Sequence, residues 1–147
     1  MTINVTDINT LALKGVKVYE YFERDYDSGD KSTTSGDYEL LDTLTPSISG
    51  ALLHLVNLEI NGYVESSGDY IDVKVVVYFE DGNTYSIELH STETSETTLY
   101  SKNFTQIAGL LMRITKIELY AKHNATSYST AVHARLKATI IEYKKEG

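Results

Sequence analysis

The stretch Tyr70–Leu89, YIDVKVVVYFEDGNTYSIEL, decides the fold. Ile71, Val73, Val75, Val77 and Phe79 alternate with Asp72, Lys74, Val76 and Tyr78. Glu80-Asp81-Gly82 then turns the chain, and Tyr85, Ile87 and Leu89 resume the alternation. A period of two sends successive side chains to opposite faces, so the stretch is a β-hairpin with one apolar face. Only one register keeps the apolar faces together. A two-residue Asp81-Gly82 turn would pair Phe79 with Thr84 and Val77 with Ser86, crossing apolar with polar. A three-residue Glu80-Asp81-Gly82 loop pairs Val77 with Tyr85, Val75 with Ile87 and Val73 with Leu89. That loop needs a left-handed residue at its third position, so a bulge of the G1 type is expected at Gly82.

Outward from the hairpin, the same alternation recurs along the chain. Val16 and Val18, continuing to Tyr21 and Phe22, read as a first strand after an arm from Met1 to Lys14. Asp25 to Gly36 reads as a loop, and Tyr38 to Leu44 as a short strand ended by Thr45-Pro46. In Ala51 to Ile60, the residues Leu52, His54, Val56, Leu58 and Ile60 are expected on one face, with Asn61-Gly62 and Glu65 to Asp69 as the next turn region. Ser91 to Thr98 reads as loop, with a short strand at Leu99-Tyr100. Phe104, Ile107, Ala108 and Leu111 fall at helical spacing behind an Asn103 cap, so one or two helical turns are expected over 103–111. Ile117, Leu119 and Ala121 form one late strand, and Val132, Ala134, Leu136, Ala138 and Ile140 another.

About eight one-faced strands with at most one short helix predict an all-β fold, two antiparallel sheets packed as a β-sandwich. The uneven loops favour jelly-roll topology. An immunoglobulin-like sandwich is the second choice, since the cysteine and tryptophan pattern that marks it is missing. Ala121, Ala134 and Ala138 are small enough to let the sheets approach closely. One domain over 1–147 is expected, with 1–14 as an N-terminal arm, and at this length folding buries roughly 70% of the unfolded chain's surface.

Composition narrows the chemistry. The chain has no cysteine, which excludes disulfides, thiolate metal sites and thiol catalysis. The net charge of −8 argues against nucleic acid as partner, because phosphate backbones are bound by excess Lys and Arg. No apolar run approaches the ~20 residues of a membrane span, and the first residues do not read as a signal peptide. No nucleophile elbow or phosphate-cradling glycine loop is present. No catalytic residue is assigned and no cofactor beyond calcium is implied.

The candidate sites are few. Asp25, Asp27 and Asp30 in RDYDSGD place carboxylates at nearby positions around a glycine, a pattern that can converge on calcium. Ser-Gly-Asp-Tyr occurs at Ser35–Tyr38 and Ser67–Tyr70, each time directly before a strand, and reads as turn chemistry. His54 is expected as a hydrogen-bonded interior residue. His133, Arg135 and Lys137 share one strand face and suggest a solvent-facing basic stripe. Asn124, in a sequon within a hairpin loop, is the best of three glycosylation acceptors. Val76 and Tyr78, on the outer face of the 70–89 hairpin, mark an interaction surface.

Twelve tyrosines, no tryptophan and roughly a fifth Ser plus Thr suit both strands and contact surfaces. The functional expectation is a non-enzymatic structural or assembly subunit in a homo-oligomer or with other structural subunits. A virion capsid, spike or tail protein is the leading form, by analogy of architecture. The alternative is a carbohydrate- or receptor-binding module using Tyr19, Tyr21, Tyr78 or Tyr120 as platforms.

Overall fold

The computed structural model describes residues 18–104, 113–124 and 129–145. They form nine strands and no helix: β1 (Val18–Asp27), β2 (Lys31–Thr33), β3 (Glu39–Leu44), β4 (Leu52–Val64), β5 (Ile71–Phe79), β6 (Thr84–Ser91), β7 (Thr97–Asn103), β8 (Ile114–His123) and β9 (Val132–Lys145). The arm over 1–14 and most of the helix expected over 103–111 lie outside the described residues; Asn103 itself closes β7. No helix among the described residues is long and apolar enough to cross a membrane.

Every pairing is antiparallel, and the order is that of a jelly roll. One sheet runs β1-β9-β4-β7, with β2 continuing the β1 lane along β9. The other runs β3-β8-β5-β6. A single bridge, Leu53 opposite Ile114, joins β4 to β8 at one corner. From β3 onward the chain crosses between the sheets at β3–β4, β4–β5, β6–β7, β7–β8 and β8–β9, leaving the β5–β6 hairpin as the one local pair. Between the sheets lies one core. Leu53, Leu55, Leu58 and Ile60 of β4 and Leu136 and Ile140 of β9 face Val73, Val75 and Val77 of β5 and Ile117 and Leu119 of β8. Ala121, Ala134 and Ala138 are buried in it, as their small size predicted.

The β5–β6 hairpin has the register that phase alone selected, with Val77 opposite Tyr85, Val75 opposite Ile87 and Val73 opposite Leu89. The Gly82 N–H donates to the Phe79 carbonyl at 3.0 Å, and Gly82 has φ +92°. Only glycine adopts that angle without strain, which is why the loop closes in three residues.

Other expectations need correction, and bulges are the main reason. The face proposed for Leu52 to Ile60 changes side at Val56, where the β4–β9 register shifts between Leu55 and Asn57. Leu53 and Leu55 therefore join Leu58 and Ile60 inside. Leu52 and Val56 pack instead with Ile141 and Tyr143 in a second small cluster. The bulge is held by the Phe104 N–H, which donates to the Val56 carbonyl at 2.7 Å. Asn61-Gly62 is no turn, since β4 runs on to Val64. A β-carbon on Gly62 would lie 2.9 Å from Leu99 Cδ1, so glycine is there to admit Leu99, the extra residue where the β4–β7 register shifts. The Asp25–Gly36 loop is likewise shorter than expected, because β1 continues to Asp27 and β2 lies within it.

One buried charge ties the ends of the sandwich together. Even-numbered residues of β9 from Val132 to Ile140 face the core, and the same parity carries Glu142 inward with its side chain fully buried. Its carboxylate accepts from Arg24 Nη2 at 2.8 Å, from the Ser47 N–H and hydroxyl, and from the Ile48 N–H. Burial pushes the Glu142 carboxyl up, but the bonds from Ser47, Ile48 and Arg24 outweigh it and hold the group below its ordinary value. The β3–β4 loop is thereby fastened to β1 and β9.

Glu142→Gln should cost about 2–3 kcal/mol at pH 7, below the ~3–5 of a fully buried pair because Arg24 stays partly in water. A depressed carboxyl stabilises above its unfolded value, about 4.3, and loses that contribution as pH falls through the folded value. Melting curves should therefore show a wide gap between wild type and variant at pH 7 that narrows by pH 3. An equal gap at both would exclude the carboxylate as its source.

Candidate functional site

From His133 to Thr139 the odd-numbered residues of β9 point outward and meet acids on the flanking strands and loops. His133 Nδ1 lies 3.0 Å from Asp30 Oδ1, and Nε2 lies 2.6 Å from Glu65 Oε2. The ring stacks on Tyr63 with centroids 4.4 Å apart and planes 5° from parallel, and the Tyr63 hydroxyl also donates to Asp30. Carboxylates only accept, so both ring nitrogens must donate and the imidazolium is the form that fits. Burial lowers its affinity for the second proton, but Glu65 and Asp30 more than compensate and raise the group overall. Arg135 grips Asp27 in a fork, with Nε–Oδ1 2.8 Å and Nη2–Oδ2 2.6 Å, and also faces Glu96. That fork, with the Gly29 N–H, holds the Asp27 carboxyl far below its usual range. Lys137 pairs with Glu59 at 3.6 Å, and the Thr139 hydroxyl donates to Asp25 at 3.0 Å.

The predicted basic stripe is thus a ladder of neutralised pairs. Asp25, Asp27 and Asp30 are placed beside it, yet each takes a different partner: Thr139, Arg135 and His133. Among the described residues no group of three or more His, Asp or Glu side chains is arranged to hold a metal ion.

Register lines these side chains up in rows across the sheet. Asp25, Thr139, Asn57 and Asn103 lie directly opposite one another across β1, β9, β4 and β7, and so do Asp27, Lys137, Glu59 and Ser101. Between the rows is an open depression of about 630 Å³.

The outer face of the second sheet differs. Lys74 lies 4.4 Å from the Tyr38 ring centroid and 5.2 Å from that of Tyr120, Lys122 is 4.8 Å from Tyr38, and Lys116 is 4.5 Å from Tyr78. Leu40, directly opposite Tyr120, is 47% exposed. Glu118 sits beneath, accepting from the Tyr120 hydroxyl at 2.8 Å and pairing with Lys116 at 3.7 Å. Burial pushes its carboxyl up, while the Tyr78 and Tyr120 bonds and Lys116 bring it below the ordinary value. Of the two residues marked as an interaction surface, Tyr78 belongs to this layer. Val76 is on the same face but only 9% exposed, between Glu118 and Ser86.

The remaining candidates serve the fold. His54 is interior as predicted but not hydrogen-bonded through Nδ1, which has no partner. The Val56 bulge leaves it opposite Ile141, beside Leu52, and burial lowers its pKa to about 4. His123, fully buried, meets Asp69 at 3.1 Å, and Thr130 donates to the same carboxylate. Asp69 of the second Ser-Gly-Asp-Tyr copy is therefore a tie to the β8–β9 connection as well as a turn residue. The Asn124 amide donates to Asp72 at 2.8 Å; the rest of its sequon lies outside the described residues. The side chains of Tyr19 and Tyr21 are also outside them. Sequence reasoning missed the rows through Asn57 and Glu59 and the role of Tyr38. The first needs the register of four strands, and the second was hidden in a turn motif.

The class these features define is a jelly-roll β-sandwich with one charge-paired face and one tyrosine–lysine face. No family model matches the sequence, and no curated protein is similar to it. Among solved structures, a chain of the T13 infectious bursal disease virus particle is similar at 13% identity and a TM-score of 0.49, over 87% of this chain and 36% of that one. The SPBc2 prophage-derived protein YomS is similar at 12% identity and a TM-score of 0.44, over 84% of this chain and 98% of that one. A chain of Desmodium yellow mottle tymovirus gives 12% identity and a TM-score of 0.43, over 88% and 85%. The chain spans just over a third of the length of the bursal disease virus chains it matches. The fold assignment rests on the strand pairing.

Two measurements check the charge-paired face. A raised histidine stabilises in full below its unfolded value, about 6.5, and that contribution is lost as pH rises through the folded value. His133→Gln should therefore lower the melting temperature at pH 6 and differ little from wild type at pH 9. Because Asp25, Asp27 and Asp30 are engaged separately, millimolar calcium should leave the melting temperature where EDTA leaves it. A rise with calcium would mean that the loop rearranges around the ion.

Proposed function

We propose that the protein is a non-enzymatic structural subunit that works through protein–protein contacts, in a virion particle as a capsid, spike or tail component. The observation that carries this reading is the outer face of β3-β8-β5-β6. Tyrosines supply large contact area at small entropic cost, and here Tyr38, Tyr78 and Tyr120 are already held by lysines packed on their rings. An ordered face loses little freedom on association, and that freedom is a main cost of binding. Leu40 adds an exposed apolar anchor opposite Tyr120. Three of the four described histidines support the same reading, because His123, His133 and His90 are each spent on a carboxylate that ties neighbouring segments together. Jelly rolls build capsids and lectins alike, so the fold alone does not choose between them; the tyrosine–lysine face favours a protein partner.

Light scattering across a concentration series tests this. A defined oligomer is expected, and Leu40→Asp should weaken it without lowering the melting temperature. A monomer at every concentration, or an oligomer indifferent to Leu40→Asp, would overturn the role given to this face.

A further inference from the structure

The depression on the first sheet is built for a ligand of a particular kind. Its walls are the two cross-strand rows. Tyr26, Leu58 and Ala138 also border it although their side chains belong to the core, so the floor is strand backbone. β4 and β9 are interior strands whose main-chain groups are used within the sheet. An extended peptide would therefore find no ladder to join and no apolar pocket for its side chains.

Charge narrows the ligand further. Asp27 is held by Arg135, and Glu59 by Lys137. Outside those two pairs, Asp25, which accepts from the Thr139 hydroxyl rather than from a cation, stands at the β1 end, and Lys102 borders the β7 end. The trough thus carries one further charge of each sign and favours neither an anion nor a cation. What the walls do offer is uncharged hydrogen bonding of both senses. Among the described residues the Asn57 amide and the Ser101 hydroxyl have no side-chain partner. Asn57 stands at the middle of the first row and Ser101 at the end of the second. An amide presents donor and acceptor side by side, the geometry that vicinal hydroxyls complement. Four strands set the trough's length at about 14 Å, which suits a short chain of sugar rings better than a single one.

We infer that this trough is a binding site for a neutral oligosaccharide, gripped by Asn57 and Ser101 with Asp25 and Lys137 at its sides. With no aromatic platform in the trough, a single site binds weakly, and many copies on one particle supply the strength by avidity. The site itself stands on the trough alone; only the avidity rests on the assembly reading.

The test is to display the full chain multivalently, as a biotinylated protein on streptavidin, over an array of neutral, sialylated and sulfated glycans. Artificial display makes the result independent of whether the chain oligomerises by itself. Binding to neutral glycans is expected, reduced roughly tenfold or more, about 1.4 kcal/mol, by Asn57→Leu. Ser101→Leu, on the exposed edge strand β7, should do the same and keeps the test decisive if the first variant does not fold. Melting temperatures verify that each scored variant is native. The inference is overturned by an absence of binding, by binding confined to sialylated or sulfated glycans, or by neutral binding that both folded variants retain.

Discussion

The parity of β9 is the constraint on which the rest of the molecule depends. This strand pairs with β1, β2 and β4, so its two faces set the chemistry of the whole first sheet. From Val132 to Ile140 the inward positions are all apolar and buried. The same count continues to Glu142, which arrives inside as a charge with no water to solvate it. A carboxylate in that position costs several kcal/mol unless it is fully bonded. The β3–β4 loop and Arg24 are shaped around that need. The outward count gives His133, Arg135, Lys137 and Thr139, and each finds an acid on the flanking strands and loops. A one-residue slip would place three cations in the core and five apolar residues in water, so register here is strongly specified.

What could be read from the sequence follows from this. The 70–89 hairpin and β9 were legible because their alternation is unbroken, and an unbroken period of two fixes both face and register. β4 was not, because the extra residue at Val56 changes its phase partway along, and a bulge depends on partners distant in the chain. Gly62 misled for a related reason. Asn-Gly is a strong turn signal on local grounds, yet here glycine answers to the Leu99 side chain arriving from β7. The acidic loop was legible as a cluster but not as a set of separate pairs, since its partners lie more than a hundred residues away at Arg135, His133 and Thr139. The rows flanking the trough were invisible for the strongest reason: adjacency across four strands exists only once all four registers are known.

The two outer faces divide the surface by chemistry. On the first sheet His133, Arg135 and Lys137 stand among six acids, Asp25, Asp27, Asp30, Glu59, Glu65 and Glu96, which leaves a polar and net acidic surface. On the second, lysines lie over tyrosine rings, and their charges are partly spent on those rings and on Glu118 and Asp72. Further negative charge lies in the connections, at exposed residues such as Asp37, Asp81 and Glu93. Net charge placed in loops keeps the molecules apart in solution without deciding which faces can meet.

The sheet edges bear on how copies could pack. An open two-sheet sandwich presents unpaired strand edges, and these invite uncontrolled pairing unless they are blunted. On the described residues the edge strand β7 exposes Ser101, Lys102 and Asn103, β6 exposes Thr84, Tyr85, Ser86 and Glu88, and β3 begins with exposed Glu39 and Leu40. Polar and charged side chains at most of these positions disfavour strand addition. The β1 lane is interrupted before β2, where the chain turns through Ser28-Gly29-Asp30 and the Asp30–His133 contact holds it. Edges made unfavourable in this way leave the broad faces as the places where contact can be specific. Of the two, the face with ordered rings gains more by losing water, because it carries the exposed Leu40 beside three tyrosine rings.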